Sequence, residues 1–203
     1  MPRIQNLKIE IPRLDVLKRL HYNVYKTSVS GDIDYLIDKM MEDAYILIGT
    51  KAVYKDFAVA GRAEGEITLQ GTDFRIVGRE VSGILKHSFK VTLMAVTIGE
   101  DLPNRSHQYM AEGKNTEGVI LDAVGSEAVE ALAEKLGSVV LRNALLEGAL
   151  TTKRYSPGYG DWNVVEQKGL LKAVGAEEIG ITLNPACLMI PEKSVSAVIG
   201  WER

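Results

Sequence analysis

Cysteine is nearly absent from this 203-residue chain: Cys187 stands alone. No internal disulfide can form, and one chain cannot build a thiolate-rich metal cluster. A small core position is expected for it. Histidine is scarce too. His21, His87 and His107 lie too far apart to put two imidazoles on one helix face at i, i+4, so they are expected at structural or surface positions rather than in a zinc site. Neither G-x-G-x-x-G after a strand nor G-x-x-x-x-G-K-[ST] occurs, which removes the two common nucleotide cradles. No apolar run reaches the roughly 18 residues that a membrane span needs. The opening Met1-Pro-Arg-Ile-Gln-Asn6 lacks the apolar core of a secretory signal. A cytoplasmic chain without a membrane partner is expected, and the triplet Asn104-Arg-Ser106 then has no route to glycosylation. A large excess of one charge is also missing. The 24 basic and 27 acidic residues are intermixed to a net charge of -3, which argues against nucleic acid as a partner.

What is present is an ordinary globular composition, 46% hydrophobic and 25% charged, sufficient for one compact unit over residues 1–203. Lys8 to Ile11 reads as a short strand, followed from Pro12 by a helix with Leu14, Leu17 and Leu20 on one face. Ser30 or Asp32 is placed to cap an amphipathic helix through Ile33, Leu36, Ile37, Met40, Met41 and Ala44. Alternation from Val53 to Val77, with glycines at the joints, predicts a meander of strands at Val53–Val59, Glu66–Leu69 and Phe74–Val77. Lys90 to Ile98 is almost wholly apolar and predicts a buried central strand.

Thr116 to Leu150 follows helical spacing but is apolar around most of its circumference, so burial between layers is expected. Gly125, Gly137 and Gly148 leave open whether it is one helix or two. Asp161 is expected to cap a helix carrying Val164, Val165, Leu170, Leu171 and Val174 and ending near Gly175. Strands at Ile179–Leu183 and Val195–Trp201 follow. Clustered strands mixed with long helices predict an α+β fold, a single domain whose largely antiparallel twisted sheet packs against long helices.

Two features bear on chemistry. Glu127, Glu130 and Glu134 share one face of a helix too apolar to be fully solvated; they form either a narrow solvated stripe or carboxylates facing a cationic ligand. Arg154-Tyr-Ser-Pro-Gly-Tyr-Gly-Asp-Trp162 concentrates a guanidinium, two tyrosines and a turn, with Pro157 and Gly158 at the central positions of a type II turn. Arg154 is suited to grip a carboxylate bidentately. The alternative is a structural turn in which Arg154 pairs with a local acid and Tyr159 packs in the core.

Arg154, Gly158 and Tyr159 also match the pattern Arg-x-x-x-Gly-Tyr ahead of a helix. Together with Glu130-Ala-Leu-Ala-Glu134 and Leu183-Asn-Pro-Ala-Cys-Leu-Met-Ile-Pro-Glu-Lys-Ser-Val-Ser196, in that order, they make residues 90 to 201 resemble the activation domain of cobalamin-dependent methionine synthase. The resemblance implies an S-adenosylmethionine site made by Glu130, Arg154, Ser156, Pro157, Gly158 and Tyr159. In it Arg154 takes the methionyl carboxylate and Glu130 the ammonium or sulfonium. Tyr159 and the Pro157-Gly158 turn take the adenosine, and Ser156 contributes its backbone. Asp15 is the candidate for an N-terminal acidic residue of the site. The fused enzymes usually carry proline where Gly160 stands, have a longer first half, and continue beyond the Trp201 position.

The implied reaction returns inactive cob(II)alamin to its methylated form with one electron and a methyl group, without a side-chain nucleophile or general base. The implied partners are a cobalamin-binding methionine synthase lacking its own activation domain and an electron donor such as flavodoxin or ferredoxin. Because 203 residues cannot also house homocysteine, folate and cobalamin modules, a separate subunit acting in trans is expected. Two other readings stay open: reactivation of another corrinoid methyltransferase, and a non-catalytic S-adenosylmethionine-binding scaffold or sensor.

Overall fold

The computed structural model describes residues 3–22 and 31–203. In chain order these form β1 (Arg3–Gln5), α1 (Arg13–Arg19), α2 (Gly31–Leu47), β2 (Lys51–Ala63), β3 (Glu66–Leu69), β4 (Arg75–Val77), α3 (Arg79–Ile84) and β5 (Lys90–Thr97). The second half continues with α4 (Asp101–Ala111), α5 (Asn115–Leu146), β6 (Leu150–Thr151), α6 (Gln167–Val174), β7 (Thr182–Leu183), β8 (Met189–Ile190) and β9 (Ser194–Glu202). Short 3-10 turns at Val164–Glu166 and Ala176–Ile179 bracket α6.

The main sheet is antiparallel in the order β4-β3-β2-β5-β9-β6, with β1 paired to the first residues of β2. β5 lies between β2 and β9 and pairs with each along its whole length. Its side chains alternate between two covered faces. Met94 and Val96 join Ala52, Ala197, Ile199 and Trp201 against α1, α2 and α5, whereas Val91, Leu93 and Ala95 join Val53, Phe57 and Val198 against α3, α6 and Trp162. Burial on both faces is why the stretch reads as a continuous apolar run instead of alternating. Trp201 is buried with its indole N–H donating to Thr92 Oγ1 at 2.8 Å, and Thr92 in turn donates to Asp56 Oδ1 at 2.6 Å, so the polar handle of a core aromatic is satisfied.

The architecture is α+β with an antiparallel sheet and long helices, and the helices expected at Pro12, at residues 33–44 and near Val164–Val174 are present. Of the 116–150 stretch, the part up to Leu146 is a single helix, α5, wedged between the sheet and α1, α2 and α4; Gly148 lies beyond its end at φ +69, and Leu150 opens β6. Several details differ from the sequence reading. Lys8 to Ile11 is not a strand. Asn6 turns the chain at φ +57, and side chains then satisfy the backbone: Thr50 Oγ1 donates to the Leu7 carbonyl, and Ile11 N–H donates to the Tyr45 hydroxyl.

In α1 the buried residues are Val16 and Leu17, with Leu14 out in solvent. Asp32 lies inside the first turn of α2 rather than capping it, and Ser30 lies outside the described residues. The expected strand Ile179–Leu183 shrinks to Thr182–Leu183, because Ile179 closes a 3-10 turn and Gly180 sits at φ +84. Cys187 is half-buried in the β7–β8 loop at φ +61, not in the core. The three histidines are exposed. Among the described residues no helix is long and apolar enough to cross a membrane.

α3 and α4 are additions. The i, i+4, i+7 signature of α4 is Leu102, Ser106 and Tyr109, and a serine at its centre conceals the apolar stripe. Ser106 is buried because its hydroxyl donates to the Gly118 carbonyl of α5 at 2.8 Å.

The glycines of α5 differ in what surrounds them. A Cβ on Gly118 would press on Met110 and lie 3.0 Å from the Ser106 carbonyl, whereas one on Gly137 would meet nothing within 4 Å. Gly118→Ala is therefore expected to destabilise by about 1–3 kcal/mol through overpacking between α4 and α5. Gly137→Ala should stabilise by about 0.5–1 kcal/mol through helix propensity. Denaturant melts of the two variants check the opposite signs.

Candidate functional site

The segment after β6 runs along the outer edge of β9. Thr152 N–H donates to the Gly200 carbonyl, and Tyr155 exchanges both backbone hydrogen bonds with Val198, at 2.9 and 2.8 Å. β6 itself reaches only Trp201 and Glu202, so the Thr152–Gly200 hydrogen bonds and, beyond them, the Tyr155 bridge dock the segment to the strand. The next four residues form the expected turn: Tyr159 N–H donates to the Ser156 carbonyl at 3.3 Å, with Gly158 at φ +95 in the third position. Gly158 N–H also donates to the Trp162 carbonyl at 2.7 Å.

A cleft of about 830 Å³ opens between this loop, α5 and β9. Glu130 and Glu134 face it from α5, and Arg154, Ser156, Pro157 and Tyr159 face it from the loop; Gly158 shapes the turn but is not among the residues that line the cleft. Arg154 binds both helix carboxylates: one NH2 group lies against Glu130 Oε2, and Nε donates to Glu134 Oε1 at 3.1 Å. Burial pulls the Arg154 guanidinium down in pKa, but the hydrogen bond and charge of Glu130, reinforced by Glu134, outweigh it and hold the group above its ordinary value. The cluster carries one cation and two carboxylates. Tyr159 is 66% exposed, so it is not packed in the core and its ring is open to a ligand.

The glutamate stripe is split by its surroundings. Glu127 pairs with Arg19 of α1 at 2.5 Å, away from the cleft, and only Glu130 and Glu134 reach it. Asp15 pairs with Lys18 on α1 and is not among the groups lining the cleft.

Asp161 does not cap the helix that follows it. Asn163 Oδ1 takes that role by accepting from Val165 N–H at 3.0 Å. The Asp161 carboxylate instead accepts from the N–H groups of Arg79 and Glu80 at 2.7 and 3.1 Å, capping α3 from the far side of the sequence. Those two backbone hydrogen bonds, that of Arg79 the larger, hold its pKa below the ordinary carboxylate value.

Sequence reasoning missed Gln167 and Gly137. Gln167 is 5% exposed at the cleft wall, accepting from Ser196 Oγ at 3.0 Å and donating to the Cys187 carbonyl at 2.8 Å. A polar residue in the register of Leu170, Leu171 and Val174 was its available signal. Gly137 lines the cleft where a side chain would intrude. Among the described residues, no group of three or more histidine, cysteine or acidic side chains is arranged to hold a metal.

The sequence profile described as "Vitamin B12 dependent methionine synthase, activation domain" matches residues 85–202, more than half of the chain. The chain belongs to this family. A crystal structure of the MetH reactivation domain bound to AdoHcy superposes with a TM-score of 0.70 over 98% of this chain and 77% of that one, at 15% identity. At that identity the likeness shows the fold. A search among curated proteins finds no match. Every cleft group named above falls within the segment shared with the activation-domain family, while α3 lies ahead of it.

The cap on α3 gives a pH signature. Asp161 titrates lower folded than its unfolded value of about 3.9, so its stabilisation is complete above that value and is lost as pH falls through the lower folded one. Asp161→Ala is expected to melt below the wild type at pH 7, with the gap closing as pH drops under about 4. Paired thermal melts from pH 7 to 2.5 check this, and a pH-independent gap would remove the cap.

Proposed function

We propose that this chain binds S-adenosylmethionine in the cleft between α5 and the 154–160 loop and presents its methyl group to a cobalamin carried by a partner methionine synthase lacking its own activation domain. There it supports the reductive methylation of inactive cob(II)alamin. The observation that carries the reading is the placement of Arg154 between Glu130 and Glu134, at the cleft and beside the Ser156–Tyr159 turn.

An amino-acid head group fits that cluster by exchange in kind. Its carboxylate takes the two-pronged donor face of Arg154, and its ammonium takes Glu130, so neither charge of the existing pair is left alone. Glu134 then leaves a negative neighbour for the sulfonium. The cluster sums to one negative charge and S-adenosylmethionine to one positive charge. The cleft volume of about 830 Å³ lies within the roughly 300–1,000 Å³ usual for a ligand of this size. The exposed ring of Tyr159 and the turn's backbone suit adenosine.

When bound, the sulfonium supplies an electrophilic methyl group, and the one electron comes from a separate donor such as flavodoxin or ferredoxin. The work of this chain is positioning: Arg154 and Glu130 fix the head group, and the turn fixes the base. No general base or nucleophile is required. Exposed apolar side chains at the cleft rim, Leu141 and Tyr159 with Leu188 and Ile190 on either side of Met189, support docking of a partner over its mouth.

Calorimetry with S-adenosylmethionine tests the site. The wild type is expected to bind, and Arg154→Ala to lose about 1.5–3 kcal/mol, roughly 10- to 150-fold in affinity. Unchanged affinity would take Arg154 out of the site. Formation of methylcobalamin on a cobalamin-loaded methionine synthase, with a reductant present, tests the reaction. Formation only on another corrinoid methyltransferase would change the client, and binding without any methyl transfer would favour a scaffold or sensor.

A further inference from the structure

Glu80 belongs to α3, ahead of the family-matched segment, yet it is bound to the loop at both ends of the turn. Just before the turn, the Tyr155 hydroxyl donates to Glu80 Oε2 at 2.8 Å. Just after it, Asp161 accepts from the backbone N–H groups of Arg79 and Glu80. Between these anchors lies Gly160, at φ +54. A Cβ on Gly160 would overlap both the Glu80 carboxylate and the Tyr155 hydroxyl. The hydrogen bond therefore occupies the space that any other residue at 160 would fill. Tyr155 also stacks on buried Trp162, with ring centroids 6.2 Å apart and planes 15° apart, so its hydroxyl is aimed by a fixed ring.

Left to itself, a loop holding two glycines at positive φ within three residues has much freedom to lose on binding. The contacts made by α3 remove that freedom in advance. Glu80 also pushes the Tyr155 phenol up to about 12, which keeps it a protonated donor throughout the neutral range.

We infer that Glu80 and Tyr155 are positioning residues of the ligand loop: their hydrogen bond, passing under Gly160, makes α3 a strut that holds the Ser156–Tyr159 turn in its ligand-ready shape. The inference rests on the reading that this loop binds S-adenosylmethionine. Glu80 does not line the cleft, and its side chain acts through Tyr155 while its backbone N–H holds Asp161. Without the strut, the competent shape is one of several, and the apparent dissociation constant rises in inverse proportion to its population.

The test uses the full chain and six variants: Glu80→Ala, Glu80→Gln, Tyr155→Phe, the Glu80→Ala/Tyr155→Phe double variant, and Gly160→Ala in both the wild-type and Glu80→Ala backgrounds. Three quantities are measured: affinity for S-adenosylmethionine by calorimetry, melting temperature, and amide hydrogen exchange at Gly158 and Tyr159. Glu80→Ala and Tyr155→Phe are each expected to weaken binding about three- to tenfold and to speed exchange at both amides. The double variant should be no worse than either single one.

Glu80→Gln keeps an acceptor and should stay within about twofold of the wild type. Gly160→Ala should do more damage in the wild type than in the Glu80→Ala background, where the obstructing carboxylate is gone. A fall in melting temperature with affinity and exchange unchanged would overturn the strut and leave α3 a packing element. If the wild type itself fails to bind, the proposed function fails, and the exchange rates together with the Gly160 comparison still decide the strut.

Discussion

A strand pair that is apolar on both faces cannot be left against water on either side, and most of this fold follows from that constraint at β5 and β9. On one face it requires a long apolar element, which α5 supplies, backed by α1, α2 and α4. On the other it requires the returning chain, from Trp162 through α6, to lie across Val91, Leu93, Ala95 and Val198. The two coverings meet at the outer edge of β9. Because β6 pairs only with Trp201 and Glu202, the edge from Ser194 to Ile199 is engaged by just the Tyr155 bridge, and the cleft opens there. The site is thus a consequence of covering a two-sided strand with two layers that diverge at its edge.

The charge cluster fits that location. A partly buried guanidinium needs an opposite charge close by, and removing one member of such a pair is costlier than exchanging it for a group of the same sign. Arg154, with Glu130 and Glu134 beside it, satisfies this requirement in the free chain. On the proposed reading, the same requirement selects the ligand: a zwitterionic head replaces one internal ion pair with two external ones, while a neutral or singly charged molecule would strand a charge. The local acid pairing weighed for Arg154 and the ligand role are then two states of one arrangement.

Much of the fold was legible because its elements follow hydrophobic period. α2, the β2–β4 meander, β5, α5 and β9 all declare themselves by spacing, and the loop declared its turn through Pro157 and Gly158. What spacing could not show were elements held by polar contacts. The segment at Lys8 to Ile11 alternates like a strand, but its backbone is satisfied by Thr50 and Tyr45. α4 hides behind a buried serine that bonds across to α5. Asp161 has the local grammar of a helix cap, yet it caps a helix 82 residues earlier, a pairing that only tertiary structure makes. In the candidate site, Arg154 and Glu130 could be named from residue type and resemblance. Gln167 and Glu80 act through buried or long-range hydrogen bonds and leave only faint local signals.

α5 shows why residue type alone could not decide between one helix and two. Each glycine lowers helix propensity by a similar amount, so Gly118, Gly125 and Gly137 look alike as sites of weakness. Their surroundings separate them. At Gly118 and Gly125 the missing Cβ is where the Met110 and Leu102 side chains of α4 come in, so close helix packing offsets the local cost. Gly137 has no such compensation; it lies at the cleft with open space above it. A helix that accepts an uncompensated glycine at that point leaves space in the cleft wall beside Glu134 and Arg154, and the helix stays continuous because one face of its flanking turns, at Leu132, Ala133, Leu136 and Val140, is buried in the core.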